Sequence, residues 1–156
     1  NTQKLSINSV GLDQIIQNAV TNTKAFNFSG VSQVLASTVL TSQTVNVVSG
    51  TALVSILGAW NQDWIGSSGG DTVLCGFGLA VDGVLQRRYV FGCQTDGGRW
   101  QNFSPFSVGA LITGLSAGNH SFVVRGMSSG EWGGQNALQG SASMDSGQLF
   151  VADFRR

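Results

Sequence analysis

Beyond Phe26 the chain carries no 3.6-residue period, and glycines, 22 in all, mark most boundaries between its apolar stretches. That grammar restricts it to short strands joined by turns, because glycine supplies the positive φ that tight turns need and interrupts helices. The stretch from Gly114 to Gly126 shows the pattern most plainly. Gly114 and Gly118 bound a turn in which Ser116 and Asn119 can bond their own backbone. His120, Phe122 and Val124 then point one way, with Ser121, Val123 and Arg125 pointing the other. A strand with apolar residues on both sides belongs at the centre of a sandwich or at a subunit contact.

The same alternation recurs along the chain. Residues 31 to 40 mix β-branched residues and serines, enough for one or two short strands. Thr44 to Val48 alternates cleanly, and Ala52 to Trp60 follows the Ser49-Gly50 break, so the two suggest a hairpin. Val73 to Val81 places Cys75, Phe77, Leu79 and Val81 on one face and Gly76, Gly78 and Ala80 on the other. The small face implies a close approach by another backbone. Asp82-Gly83 is the strongest hairpin signal present and returns the chain as Val84 to Phe91. Phe103 to Ile112 and Gly147 to Phe154 complete about eight strands, with no helices between them. Three polar segments, Asn61 to Asp71, Gln94 to Gln101 and Met127 to Asp145, read as long loops. No repeat of propeller or solenoid length is visible. The class is therefore all-β, an antiparallel jelly-roll sandwich of about eight strands.

One short N-terminal helix is expected over residues 9 to 23. Leu12, Ile15, Ile16, Ala19 and Val20 form one helical stripe, with Ser9 as a cap and Asp13 near the positive end. It forms either a trimerising neck or a helix packed on the β-domain. The chain divides accordingly into a helix or neck over 1–25 and a β-head over 26–156. A start at Asn1 without methionine suggests a processed or excised part of something longer.

Charged residues are 10% of the chain, against roughly 25% in an average soluble domain. Ser, Thr, Asn and Gln supply the polarity instead. Eight basic and eight acidic residues balance, leaving no whole-chain footprint for nucleic acid. Arg87-Arg88 and Arg155-Arg156 read as solvated strand ends. No apolar run approaches the ~20 residues that cross a bilayer. For Cys75 and Cys93, an unbroken hairpin register puts them three positions apart on opposite faces, so two free thiols are expected.

Catalytic signals are sparse. His120 is the sole histidine and lies in a strand beside apolar neighbours, and Ser121 beside it faces the other way. No Cys/His spacing suggests zinc and no EF-type loop suggests calcium, with Asp63 and Asp71 left as a minor calcium option. The chain reads as non-enzymatic, without cofactor or metal. Binding is better supported, because three tryptophans each stand among amides and acids. Trp64 follows Asp63; Trp100 follows Asp96 and Arg99; Trp132 lies between Glu131 and Gln135. An indole offers a flat face to a sugar while amides and carboxylates meet its hydroxyls. These eight residues are the candidate ligand site, and at least one of the three rings is expected to be exposed.

Three motifs together carry a resemblance: Val81-Asp82-Gly83-Val84, Gly114 through Arg125, and Ser146-Gly147-Gln148-Leu149-Phe150-Val151. In order and content they resemble the C-terminal jelly-roll heads of bacteriophage tail fibres and other virion appendages. The layout covers roughly residues 44 to 154 and the motifs far fewer, and they are fold signatures. The resemblance implies a tumour-necrosis-factor-like homotrimer at the end of a shaft, located on the virion and recognising a host cell-surface glycan or other receptor. Other virion proteins are its further partners; nucleic acid and membrane insertion are not expected. Binding residues in that family lie in variable loops, so none transfers by motif. Two alternatives stand beside it: a structural virion protein that decorates a capsid or joins an appendage, and a capsule-degrading enzyme domain with paired carboxylates.

Overall fold

A computed structural model describes residues 23–30, 38–65, 69–96, 99–127, 141–144 and 146–153; side chains are described there except over 60–75, 91–104 and 141–143. These residues form nine strands: β1 (Thr23–Phe28), β2 (Val39–Val47), β3 (Thr51–Ile65), β4 (Gly69–Val81), β5 (Val84–Asp96), β6 (Arg99–Thr113), β7 (Gly118–Gly126), β8 (Ser141–Met144) and β9 (Gly147–Asp153). Residues 9–22 of the helix expected over 9–23 lie outside the described residues, and Thr23 is strand. β1 begins at Thr23 and pairs with β9, so Thr23 to Ala25 belong to the sandwich rather than to a neck.

Two antiparallel sheets make up the domain. One runs β1-β9-β3-β6, with β8 continuing beside the far part of β3; the other runs β2-β7-β4-β5. All but two of the connections between these strands therefore cross between sheets, and β4–β5 is the one tight hairpin among the described residues. This strand order is that of two interleaved Greek keys, as in a jelly roll. The fold is all-β, as the strand pattern implies.

Inner faces of both sheets close one core. Val45 and Val47, Val54 and Ile56, Phe77 and Leu79, Phe122 and Val124, and Leu149 and Val151 are all essentially inaccessible. Each such side chain stabilises the fold by about 1.5–3 kcal/mol relative to exposure. Phe77 anchors an aromatic cluster, with Tyr89 and Phe106 at centroid distances of 5.1 Å. β7 behaves as its alternation requires: His120, Phe122 and Val124 are buried, while Ser121, Val123 and Arg125 are half-buried on a strand between β2 and β4.

Three sequence expectations are corrected. β2 and β3 do not form a hairpin: β2 pairs with β7 and β3 with β6, β8 and β9. Alternation shows that a segment can pair but does not name its partner, and the 48–50 turn carries the chain from one sheet to the other. The polar segments at 61–71 and 94–101 are largely strand, because β3 and β6 pair without interruption from Thr51↔Thr113 to Ile65↔Arg99, and β4 starts at Gly69. The ladder is held by backbone groups, which every residue here but proline supplies in full, so polar side chains do not end it. Gly78 is covered by side chains rather than a backbone; a Cβ there would meet Leu85 Cδ1 at 2.6 Å and Met127 Sδ at 3.1 Å.

The hairpin turn is as its sequence demands, with positive φ at Asp82 (50°) and Gly83 (81°), the combination of a type I′ turn. A bulge follows at once. Val81 opposes Val84 and Ala80 opposes Leu85, but Leu79 opposes Arg87. The extra residue moves Cys75 opposite Phe91 and Cys93 opposite Val73, so the cysteines are two ladder positions apart rather than three.

The sandwich has two unlike ends. At one end the 48–50 turn, the 82–83 turn and the 114–117 loop lie together, and both β1 and β9 have a terminus there. Asp153, fully buried, accepts bonds from Val48 N–H (3.1 Å), Ser49 N–H (3.1 Å) and Ser49 Oγ–H (2.6 Å). Leu115 N–H bonds the Gly50 carbonyl at 3.1 Å. We call this the clasped end. The far end receives the outer parts of β3, β4, β5, β6 and β8.

Candidate binding tip

The tip at the far end is built by two strand pairs, which form two arms. In the first, β3 and β6, each 15 residues long, stay paired to their ends. Trp64 stands directly opposite Trp100, Asp63 opposite Gln101, and Ile65 opposite Arg99. β8 lies along the other side of β3, where Asp63 opposes Ser141 and Gln62 opposes Ala142. In the second arm, β4 and β5 end at the pair Gly69↔Asp96.

Five of the eight candidate residues, Asp63, Trp64, Asp96, Arg99 and Trp100, therefore reach the same end of the sandwich. Two of them occupy facing positions of one ladder. Directly opposed residues on antiparallel strands sit within side-chain reach of one another. Trp132, Glu131 and Gln135 lie outside the described residues. The strands flanking them are placed: β7 ends at Gly126 opposite Phe77, and β8 begins at Ser141 opposite Asp63.

His120 was singled out as the sole histidine, and it lies at the opposite end, 6% exposed. Its Nδ1 is 2.6 Å from Asp82 Oδ2, and its Nε2 is 2.8 Å from the Ser116 carbonyl oxygen. Asp82 Oδ1 accepts the Ser121 N–H at 2.9 Å. Both ring nitrogens are committed, so neither offers a lone pair to a nucleophile. The Asp82 bond, then the Ser116 bond, raises the His120 pKa above the ordinary imidazole value. The same His120 bond, with the Ser121 N–H, lowers the Asp82 carboxyl. Sequence reading found the burial of His120 but not its partner, because Asp82 looked like a turn former only. The available signal was that a buried histidine in an apolar stripe must have polar partners.

The buried Asp153 was also missed. It closes a strand whose sequence looks purely structural, and its partners are more than a hundred residues away.

No family model matches the chain, and no curated protein matches it. Its structure is similar to parts of solved structures. Dimeric latent PorU from Porphyromonas gingivalis gives a TM-score of 0.40 at 8% identity over 88% of this chain and 13% of that one. Infectious bursal disease virus, Gt strain, gives 0.38 at 15% identity over 86% and 34%. A family 35 carbohydrate binding module from Clostridium thermocellum gives 0.31 at 13% identity over 80% and 90%. The chain spans about an eighth of the PorU length. Likeness at this level assigns neither family nor function.

Proposed function

We propose that this domain is a non-enzymatic attachment head that binds a cell-surface glycan through the tip where β3 and β6 end. The observation that carries this is the facing pair Trp64↔Trp100, with Asp63, Asp96 and Arg99 at the same end. Two tryptophans facing on one ladder, with two acids and an arginine at the same end of the sandwich, supply residue types that suit the mixed apolar and hydroxyl surface of a sugar. The placement of the termini supports the same reading. β1 enters and β9 leaves at the clasped end, so an N-terminal shaft would attach there and leave the tryptophan tip distal. A virion fibre or appendage is the setting such a head suits, in keeping with the motif resemblance.

The head is proposed to work as a homotrimer. The outward positions of β9, β3 and β6 with described side chains carry no charged residue, and they include Leu53, Leu57, Phe150, Pro105 and Leu111. Leu57 is 39% and Leu111 54% exposed. An uncharged apolar face packs against copies of itself without desolvating ions. The opposite sheet also exposes Val39 and Val90, but it turns outward Arg125 and Arg88 beside Asn46, Asn119 and Ser121, so it is not charge-free. Static light scattering tests the assembly: a mass near three times 16.3 kDa is expected, and a monomer contradicts it. A structural virion protein is the second reading. It differs in that the tip would be covered by other virion proteins and would bind no glycan.

A further inference from the structure

His120 faces two hydrogen-bond acceptors. The Ser116 carbonyl oxygen has no proton to give, so Nε2 must carry one to bond it at 2.8 Å. Asp82, about half exposed and with its carboxyl pKa lowered, is ionised near neutral pH; Oδ1 accepts the Ser121 N–H, and Oδ2 lies 2.6 Å from Nδ1. A carboxylate also has no proton to give, so Nδ1 must carry the second. Only the imidazolium donates from both nitrogens at once.

We propose that His120 is a protonated pin, a cation that fastens the β4–β5 turn to the β6–β7 loop, and that loss of its proton frees the loop from the turn. The neutral ring keeps one donor and must abandon either Asp82 or the Ser116 carbonyl. The loop is the weaker attachment, because Asp82 is also held by its own N–H on the Ser121 carbonyl, at 3.0 Å. Once Ser116 is released, Leu115 N–H on the Gly50 carbonyl still ties the loop to this end. The device is therefore a pH-dependent latch at the end remote from the tryptophan tip.

The charges around the ring are few. The β4–β5 turn contributes Asp82, and the loop 114–117 contributes none. The facing stretch of β2, Gln43 to Val47, has no titratable group, and Val45 stands opposite His120. On β7 itself Arg125 lies toward the other end, opposite Val39. The other sheet brings Asp153, whose two oxygens are bonded to Val48 and Ser49. Asp82 is thus the group that fixes the charge of the ring. Both pKa directions agree with this assignment.

Nitrogen-15 NMR of the whole chain with labelled histidine tests it. Both ring nitrogens are expected to be protonated at pH 6, with a titration midpoint above that of free imidazole. Protection of the Leu115 amide, corrected for the intrinsic pH dependence of exchange, should fall as pH rises through that midpoint. In Asp82→Asn the new amide donates to the Nδ1 of a neutral ring while its oxygen keeps the Ser121 N–H. The midpoint should then drop, and Leu115 protection should no longer follow pH over that range. A wild-type ring with one bare nitrogen at pH 6 overturns the proposal. So does Leu115 protection that stays constant through the His120 titration.

Discussion

Trp64 on β3 and Trp100 on β6 occupy facing positions one ladder step from the end of the longest strand pair in the domain. Thirty-six residues separate them in the chain, and the uninterrupted β3–β6 register is what unites them. The pairing follows from topology: both strands belong to the same sheet and both run out to the same end. The sheet thus brings two tryptophans to facing positions at the end where glycan binding is proposed.

Two glycines should respond very differently to alanine. At Gly147 a Cβ would meet the Leu57 carbonyl oxygen at 2.5 Å and the Phe28 ring, and backbone cannot yield as a flexible side chain can. Gly147→Ala should cost about 3 kcal/mol in urea unfolding. Nothing lies within 4 Å of a Cβ at Gly83, but its φ is +81°. Gly83→Ala should cost only about 1 kcal/mol, all of it conformational.

Asp153 holds the 48–50 turn onto the end of β9. Asp153→Ala orphans two backbone N–H groups, while the Ser49 hydroxyl keeps the Thr51 carbonyl, and should cost about 3 kcal/mol. Asp153→Asn keeps one acceptor oxygen but turns an N–H₂ toward a donor, and should cost about 2 kcal/mol. Equal stability of all three proteins in chemical denaturation would show that the clasp contributes nothing.

The Asp82–His120 pair sets a pH window for stability. His120 has a raised folded-state pKa, so its contribution is full below the ordinary 6.5 and is lost as pH rises through the folded value. Asp82 has a lowered one, so its contribution is full above 3.8 and is lost as pH falls through the folded value. The pair therefore contributes most between 3.8 and 6.5. Melting temperature followed from pH 3 to 9 should decline faster on both sides in the wild type than in Asp82→Asn. Parallel curves would contradict the assignment.

If the uncharged outer face of the β1-β9-β3-β6 sheet joins copies, a charge there should separate them. Leu111 is 54% exposed in the single chain, so Leu111→Asp should leave the fold intact. It should lower the mass in light scattering to that of a monomer, with the far-ultraviolet dichroism unchanged. An unaltered oligomer would move the contact elsewhere.

Much of the fold is legible in the residues. Asp82-Gly83 specifies its turn by chemistry, and the alternation of residues 120 to 125 specifies the buried face of β7. Pairing partners are less legible, because Thr44–Val48 and Ala52–Trp60 look like neighbours yet join opposite sheets. The bulge that shifts Cys93 relative to Cys75 has no sequence mark, since Gln86 resembles any other strand residue. The tip reads in sequence as separate polar loops because Asn, Gln, Asp and Gly favour turns locally. Only the long-range β3–β6 ladder turns part of them into strands. His120 and Asp82 bond across 38 residues, and nothing local to either announces the other.

The direct test of the binding tip is a glycan array of bacterial surface oligosaccharides, probed with the wild type and with Trp64→Ala and Trp100→Ala. The wild type should bind a restricted set of these glycans. Each variant should lose at least about tenfold in affinity, as expected when a central aromatic contact is removed, with its melting temperature within a few degrees of wild type. Wild-type binding that neither variant weakens, or no binding to any glycan, would contradict the account.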